Sequence, residues 1–354
     1  MNINELLCMV IARQASDLHL TAGIPPTIRL HGQLIPLDLP VLEEIETRQL
    51  IGQLLEAKGL VAQIEGNNEV DFSYTLADKG RFRVNVFKQR GSWAAALRYI
   101  GVEIPTMEQM GLPRSILQSL ADHTRGLILV TGPTGSGKST TLATMLDYIN
   151  QKYHKHILTL EDPIEFLYAH KNSMVNQREI GIDSQNYNAA LRAALREDPD
   201  VILIGEMRDQ ETIATAITAA ETGHLVLSSL HTIGAVATID RIIDIFPPYA
   251  QQQIRMQLAD ILKGVISQQL VPQKTLKGRC VALEIMLTNT AVANLIREEK
   301  THQIYSQIQT GMVQGMRTME ASLAQLYNEG KITLETASYY APRGEEFKCL
   351  LAKA

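Results

Sequence analysis

The residues best suited to chemistry stand in one glycine-rich segment, GPTGSGKS, at residues 132–139. It fits the pattern G-x-x-x-x-G-K-[ST] at every defined position. Glycines let the backbone wrap closely around phosphate with its N–H groups pointing inward, and a following helix adds the positive end of its dipole. In this pattern Lys138 supplies charge to the β- and γ-phosphates and Ser139 offers a hydroxyl to Mg²⁺. The segment therefore predicts a site for ATP and Mg²⁺, built from Gly132, Pro133, Thr134, Gly135, Ser136, Gly137, Lys138, Ser139 and Thr140.

A second group of candidate residues follows an apolar run in DPDVILIGEMRD, residues 198–209. Val201–Ile204 is predicted to be a buried strand that runs beside the loop-bearing strand and ends near the γ-phosphate. Glu206 could then hold a Mg²⁺-bound water or orient the attacking water. Gly205 stands where an aspartate is usual in such a motif, so Glu206 is predicted to take the principal role. A helix-capping glutamate is the alternative interpretation.

Acidic residues also follow the predicted strand of HILTLEDPIEF, residues 156–166. Glu161 directly continues that strand, and Asp162 and Glu165 come soon after it. Ligand sites in parallel sheets lie at the carboxyl ends of the strands, so both acidic groups are expected at one edge. Ser139 is then predicted to bind Mg²⁺ directly, with Glu206 or Glu161 acting through a water. For Asp162 and Glu165, a solvated turn remains an open interpretation.

Two histidines bound a fourth predicted strand in HLVLSSLHT, residues 224–232. His224 and His231 are seven residues apart, so side-chain alternation would point them to opposite faces of a straight strand. His231, at the carboxyl end, is predicted to sense the γ-phosphate, and His224 is a weaker candidate. A structural role is the alternative for either histidine.

The elements that would position these residues follow an α/β pattern. From residue 114 to about 270, short buried strands alternate with helices, which predicts a mostly parallel sheet with helices on both faces. Residues 1–100 are predicted to form a small α+β domain that ends in a hairpin turning near Gln89–Ser92, and residues 101–113 a linker. From Pro248 onward the chain is predicted to be mainly helical, with one further strand near Cys280–Leu287, and residues 271–354 form the C-terminal region. The predicted strands of the central segment are Leu127–Thr131, His156–Leu160, Val201–Ile204 and His224–Ser228, and its helices are Lys138–Asn150, Tyr187–Glu197 and Asp209–Glu221.

The composition is that of a soluble globular protein. The 354 residues are 45% hydrophobic and carry a formal charge of −5, which argues against nucleic acid as the main partner. Cys8, Cys280 and Cys349 lie far apart, which fits neither a disulfide framework nor a zinc site. The first residues lack the basic segment and cleavage site of a signal peptide, and no apolar run approaches the ~18 residues of a membrane span. Any membrane role is therefore expected to come through a partner.

Read in order, GPTGSGKST, LEDPIEF, ILIGEMRD and HLVLSSLHT resemble the Walker A, aspartate-box, Walker B and histidine-box motifs of the secretion ATPases. That family powers type II secretion and type IV pili, and the resemblance covers nearly the whole chain. It implies a RecA-like P-loop domain preceded by a small PAS-like α+β domain. It also implies ATP hydrolysis with Mg²⁺, a cytoplasmic location and a homo-hexamer with nucleotide between subunits.

In such a ring, arginines of the N-terminal domain can complete a neighbouring subunit's site. Arg83 and Arg98, on the two strands of the hairpin, match the family's arginines in motif and spacing. An arginine placed there would neutralise charge that develops during phosphoryl transfer. Solvated surface charge is the alternative for each arginine. Weaker candidates are Arg192 and Arg196, spaced i, i+4 on one predicted helical face, and then Arg81 and Arg90.

Two further features resemble the retraction ATPases of type IV pili within this family. AVANLIR, residues 291–297, is similar to the retraction-associated AIRNLIR motif, with departures at Val292 and Ala293. The chain also has neither the tetracysteine insert nor the long N-terminal extension common in assembly ATPases. The resemblance implies a motor for pilus retraction and twitching motility that acts on an inner-membrane platform protein, peripheral at the inner face of the cytoplasmic membrane. An ordinary amphipathic helix is the alternative for residues 291–297.

Three other functions remain open. The first is a pilus-assembly or type II secretion ATPase of the same family. The second is a DNA translocase, which the acidic balance disfavours. The third is a nucleotide-gated scaffold without turnover, which Glu206 and the acidic cluster disfavour.

Overall fold

The computed structural model describes residues 2–30, 32–76, 79–101, 104–275 and 278–352. The chain divides into two compact units. The first comprises Met1–Glu103 with Glu165–Leu167, and the second comprises Ile104–Ile164 with Tyr168–Ala354. Of the predicted linker, Val102 and Glu103 lie outside the described residues. The predicted domain boundaries at residues 100, 113 and 270 remain a proposal.

The first unit is an antiparallel six-stranded sheet with helices. Its strands follow the order β3-β2-β1-β6-β5-β4. In β5 the side chains of Phe82, Val84 and Val86 are fully buried while Arg83 is exposed, as the alternation predicts. The elements are α1 (Ile3–Ala12), β1 (Asp17–Leu20), β2 (Thr27–Leu30), β3 (Gln33–Pro36), α2 (Glu44–Glu56), α3 (Val61–Asn67), β4 (Glu69–Leu76), β5 (Gly80–Gln89) and β6 (Ser92–Ile100).

The hairpin between β5 and β6 turns where the sequence predicts. Gln89 pairs with Ser92, and the two residues between them, Arg90 and Gly91, have φ values of 47° and 85°. Positive φ at both central positions is the geometry that matches the twist of the flanking strands, and glycine adopts it readily. The short helix α3 was not anticipated from the sequence.

The second unit contains a seven-stranded sheet in the order β13-β12-β7-β11-β10-β8-β9. All neighbouring strands run parallel except β12 and β13, which confirms the predicted mostly parallel α/β sheet. The strands are β7 (Gly126–Thr131), β8 (His156–Glu161), β9 (Met174–Glu179), β10 (Val201–Ile204), β11 (Leu225–Leu230), β12 (Leu262–Pro272) and β13 (Arg279–Leu287).

Helices cover both faces of this sheet. In β7, Leu127 and Leu129 face one apolar cluster while Ile128 and Val130 face another, so the strand is buried on both sides. The helices α4 and α5 pack on the second cluster, and α6 to α10 on the first. Their bounds are α4 (Arg114–Ala121), α5 (Lys138–Lys152), α6 (Tyr187–Ala194), α7 (Gln210–Glu221), α8 (Ala235–Asp244), α9 (Pro248–Ile261) and α10 (Thr290–Arg297), followed by α11 (Ile304–Thr310), α12 (Met319–Asn328), α13 (Leu334–Tyr340) and α14 (Gly344–Leu351).

Two strand predictions are wrong. Val201–Ile204 does not run beside the loop-bearing strand β7, because β11 lies between them. The chain after Pro248 holds a second long strand, β12, which pairs with β7 on its other side. The polar residues Ser267 and Gln268 interrupt the apolar run of β12, although both are buried, and they hide its strand character. Strand β9 was also not predicted from the sequence.

Candidate functional site

The glycine-rich loop joins the end of β7 to the start of α5, at the carboxyl edge of the sheet. Gly132, Gly135 and Gly137 have φ values of 140°, 76° and 89°, a region that residues with a side chain rarely adopt. Gly137 precedes the first residue of α5, and no side chain caps the helix there. The first N–H groups of a helix lack partners within the helix, so those of α5 can bind an anion.

Gly132 is also required for space. A Cβ atom at this position would lie 2.2 Å from the backbone oxygen of Gln268 and 2.8 Å from the hydroxyl oxygen of Ser136. Strand β12 therefore presses directly on the start of the loop. No residue other than glycine fits there without moving the strand.

Lys138 lies against the loop and is 7% exposed. Its Nζ donates hydrogen bonds to the carbonyl oxygens of Gly132, at 2.9 Å, and Pro133, at 3.1 Å. These contacts hold the ammonium group inside the concave side of the loop. A phosphate bound by the loop would meet this charge.

His231 connects the lysine to the strand-end carboxylate. Its Nδ1 lies 3.4 Å from Lys138 Nζ and 3.5 Å from the Thr134 hydroxyl, and its Nε2 lies 3.2 Å from an oxygen of Glu206. An ammonium group only donates hydrogen bonds, so Nδ1 must accept from Lys138 and the ring proton must sit on Nε2. In this arrangement the Nε2–H group of His231 donates to Glu206.

Glu206 also has a cationic neighbour. Arg208 contacts its other carboxylate oxygen at 2.8 Å. Burial by itself would raise the pKa of Glu206, but the hydrogen bond from Arg208, with His231 on the other oxygen, outweighs it and lowers the pKa. In return, the Glu206 carboxylate raises the pKa of Arg208. Glu206 is thus held ionised and fixed in orientation by two side chains.

Glu161 ends β8 next to Gly205. It is 7% exposed, and it accepts a hydrogen bond of 2.7 Å from the Thr159 hydroxyl. A Cβ atom at Gly205 would lie 3.0 Å from the Tyr187 hydroxyl and 3.4 Å from Glu161 Cα. The structure therefore explains the glycine at the usual aspartate position, because Tyr187 occupies the space of a side chain. Burial raises the pKa of Tyr187, with Asp162 and Glu161 adding to the rise.

The weaker acidic and histidine candidates lie at three different locations. Asp162 is exposed and close enough to Tyr187 and Arg208 to influence both pKa values. Glu165 is exposed and belongs to the first unit. His224 precedes β11 at the end opposite His231, roughly 20 Å away by strand length, and its Nδ1 lies 2.9 Å from the Ala219 carbonyl oxygen. His224 therefore lies at the edge of the sheet opposite the glycine-rich loop.

The arginine pair of the second unit does not form the predicted helical face. Helix α6 ends at Ala194, so Arg196 lies in the turn that follows it. Arg192 pairs with Glu211 at 2.6 Å, joining α6 to α7. The prediction of a shared face is wrong because the helix is shorter than its apolar pattern suggests.

The hairpin arginines belong to the first unit. Arg83 and Arg98 are cross-strand partners on β5 and β6, and both are exposed. The Nε of Arg98 donates a 2.9 Å hydrogen bond to Asp17. Arg81 is partly buried on β5, and Arg90 occupies the hairpin turn.

Three residues at the site were not identified as candidates from the sequence. Arg208 stands two residues after Glu206, a spacing that could have been noticed in an extended segment. Gln268 contacts the loop from β12, and its signal was a glutamine inside an apolar run. Tyr187 gave no signal, because only the folded chain brings α6 to the end of β10.

The loop fits a phosphate group with Mg²⁺. The Ser136 hydroxyl oxygen is buried without a hydrogen-bond partner among the described residues, and Ser139 is the second residue of α5. No group of three His, Cys, Asp or Glu side chains in the described ranges could hold a metal ion. A hydroxyl with carboxylates nearby fits Mg²⁺, which keeps several waters and is usually bound through substrate phosphates.

One further property concerns membranes. Among the described residues, no helix has the length and apolar character needed to cross a bilayer.

Comparisons with known proteins agree along nearly the full chain. The family model described as type II/IV secretion system protein matches residues 82–339. The type IV pilus retraction ATPase PilT of Pseudomonas aeruginosa is 48% identical over 347 residues, covering 98% of this chain and 100% of that protein. A twitching motility protein of Neisseria gonorrhoeae is 47% identical, covering 90% of this chain and 85% of that protein. The crystal structure of the pilus retraction motor PilT with bound ADP superposes with a TM-score of 0.92 at 50% identity, covering 99% of both chains. The chain therefore belongs to the family of type II/IV secretion system proteins, and its second unit is RecA-like.

Proposed function

We propose that this protein is an ATPase that powers the retraction of type IV pili. The observation that carries the proposal is the series of contacts from Lys138 through His231 to Glu206. It joins the phosphate-binding lysine to a strand-end carboxylate through one side chain. Similarity over the full length to a pilus retraction ATPase supports pilus retraction as the process that this ATP hydrolysis drives.

The glycine-rich loop and the start of α5 would bind the nucleotide. The loop N–H groups and Lys138 would hold the β- and γ-phosphates, and Ser139 would bind Mg²⁺, with Glu206 or Glu161 acting through a water. When bound, Mg²⁺ would shield the negative charge of the phosphates.

Hydrolysis requires a positioned water and a group that can take its proton. Glu206 suits this role, because Arg208 and His231 fix its carboxylate at the edge where the loop lies. His231 would report on the γ-phosphate through its contacts with Lys138 and Thr134. A change in the position of Lys138 would thereby shift His231 and, through it, the carboxylate of Glu206.

The working form would be a homo-hexamer with nucleotide between subunits. Arg83 and Arg98 are cross-strand partners on one hairpin and would serve the neighbouring subunit's site. We further propose that the ring lies in the cytoplasm and acts on an inner-membrane platform protein. Peripheral attachment to the membrane would come through that partner.

The first test is steady-state hydrolysis of ATP by the purified protein, with its mass measured in parallel. Lys138→Ala should abolish hydrolysis, because it removes the charge that meets the phosphates. Lys300→Ala is the matched control, since that lysine pairs with Glu298 at the protein surface. Hydrolysis that survives in Lys138→Ala would contradict the proposal.

The second test asks whether the arginines act across subunits. Arg83→Ala with Arg98→Ala in one chain, and Lys138→Ala in another, should each be inactive alone. If the subunits mix freely in a ring, roughly a quarter of the interfaces regain a complete site, so activity returns. Mixed rings without activity would place the arginines in their own subunit's site, whereas hydrolysis by the double arginine variant alone would place them outside the mechanism.

The third test separates retraction from assembly. Deleting the gene in its host should leave excess surface pili and abolish twitching, because extension continues without withdrawal. A strain without pili would instead identify an assembly ATPase. Expression of Lys138→Ala in the deletion strain should fail to restore twitching.

A further inference from the structure

We infer that Gln268 is a positioning residue that orients one peptide of the glycine-rich loop, so that the Gly137 N–H faces the nucleotide phosphates. The inference rests on the proposed nucleotide binding and adds to it a residue outside the loop. Gln268 lies on β12, more than a hundred residues along the chain from the loop, and it is 1% exposed.

Gln268 touches the loop at both of its ends. Its side-chain amide donates a 2.6 Å hydrogen bond to the Ser136 carbonyl oxygen. Its own backbone oxygen leaves no room for a Cβ atom on Gly132. Strand β12 is also paired in register with β7, where Ser267 lies opposite Thr131. The backbone of Gln268 is therefore fixed against the start of the loop while its side chain reaches the far end.

The bond to Ser136 determines where the next N–H points. In a planar trans peptide the C=O and the following N–H point in opposite directions. Because Gln268 holds the Ser136 carbonyl oxygen, the N–H of Gly137 must point away from β12. Gly137, with a φ of 89°, could otherwise accept a rotated peptide at little steric cost. Rotation would turn a carbonyl oxygen toward the phosphates in place of an N–H group.

A third residue fixes which way the glutamine amide faces. The Thr141 hydroxyl donates a 2.9 Å hydrogen bond to Gln268 Oε1, which leaves the NH₂ group for Ser136. Thr141 belongs to the first turn of α5 and is fully buried. A glutamine is suited to this position because it accepts from the helix and donates to the loop with one side chain.

The experiment compares two adjacent glutamines of β12 in the full-length protein. Gln268→Met keeps the length of the side chain but removes both hydrogen bonds. Gln269→Met is the control, because Gln269 alternates to the opposite face of the strand. The dissociation constant of Mg-ADP is measured by calorimetry, KM and kcat for ATP by steady-state hydrolysis, and folding by thermal melting.

Gln268→Met should raise both the dissociation constant of Mg-ADP and the KM for ATP by about tenfold or more. That factor corresponds to the loss of one hydrogen bond from the Gly137 N–H to a charged phosphate group. The value of kcat should fall less, because the N–H contact is made in the ground state and the transition state alike. Gln269→Met should change none of these. Thr141→Val should give a smaller rise in the same two constants, since the amide of Gln268 is then free to turn, and it serves as the test if Gln268→Met does not fold.

Three results for Gln268→Met would overturn this inference and leave the proposed function standing. They are unchanged binding of Mg-ADP, a lower kcat with unchanged KM, or a lower melting temperature with normal constants for both nucleotides. A purified unaltered protein that binds no Mg-ADP would overturn the proposed function itself.

Discussion

Replacing His231 by alanine removes the side chain that joins Lys138 to Glu206. The substitution deletes two hydrogen bonds, one accepted from the ammonium group and one donated to the carboxylate. Glu206 keeps its contact with Arg208, so it stays ionised but loses one of two restraints on its orientation. Lys138 keeps its bonds to the carbonyl oxygens of Gly132 and Pro133.

The size of the effect follows from these contacts. A hydrogen bond to a charged group contributes about 1.5–3 kcal/mol. The His231 side chain is 44% exposed, so water can replace part of each bond and the lower end of that range applies. About 1.4 kcal/mol corresponds to a tenfold change in rate, so kcat should fall about tenfold. KM should change little, because the residues that hold the phosphates keep their positions.

Steady-state hydrolysis of ATP measures both constants, and His224→Ala is the matched control. His224 flanks the same strand at its other end, and its ring nitrogen Nδ1 lies near the Ala219 carbonyl oxygen and the Thr222 hydroxyl. Its replacement should leave kcat unchanged. His231→Gln should retain part of the activity, because an amide can also accept from the lysine and donate to the carboxylate. A normal kcat in His231→Ala, or a raised KM with kcat unchanged, would refute the bridging role.

Four other variants test the electrostatics and packing of the second unit. Arg208→Gln should raise the pKa of Glu206 toward its ordinary value, so the acid limb of the kcat/KM profile moves to higher pH; an unmoved limb would exclude Glu206 as the titrating base. Burial and the Glu320 carboxylate raise the pKa of Glu284, so the folded protein loses stability as pH rises through that pKa. Glu284→Gln should therefore gain melting temperature over the parent as pH increases, and a constant difference would contradict this. Gly205→Ala should lower the melting temperature and Tyr187→Phe should partly reverse the loss, whereas additive effects would exclude their contact.

Local features were predictable where a short segment determines its own conformation. The loop at residues 132–139 lies between a strand and a helix as its pattern predicts, and the hairpin turns at Arg90 and Gly91. Buried parallel strands are continuous apolar runs, which made β7, β8, β10 and β11 visible in the sequence. These features depend on steric preference and burial within a few residues.

Non-local arrangements could not be read from the sequence. Strand order depends on how helices pack across the sheet, so the position of β11 between β7 and β10 was missed. That position explains why His231, at the end of the intervening strand, lies between the loop and Glu206. Strand β12 was missed because Gln268 serves the loop, and a buried polar side chain disrupts the apolar pattern that marks a core strand.

The substitution Glu206→Gln asks whether Glu206 acts on ATP held by the loop. Glutamine keeps the size of the side chain but removes its charge and its ability to take a proton. Single-turnover hydrolysis should slow by about 10²–10⁴-fold, while the dissociation constant of Mg-ATP stays close to that of the unaltered protein. Near-normal hydrolysis by Glu206→Gln would exclude Glu206 from the hydrolytic step.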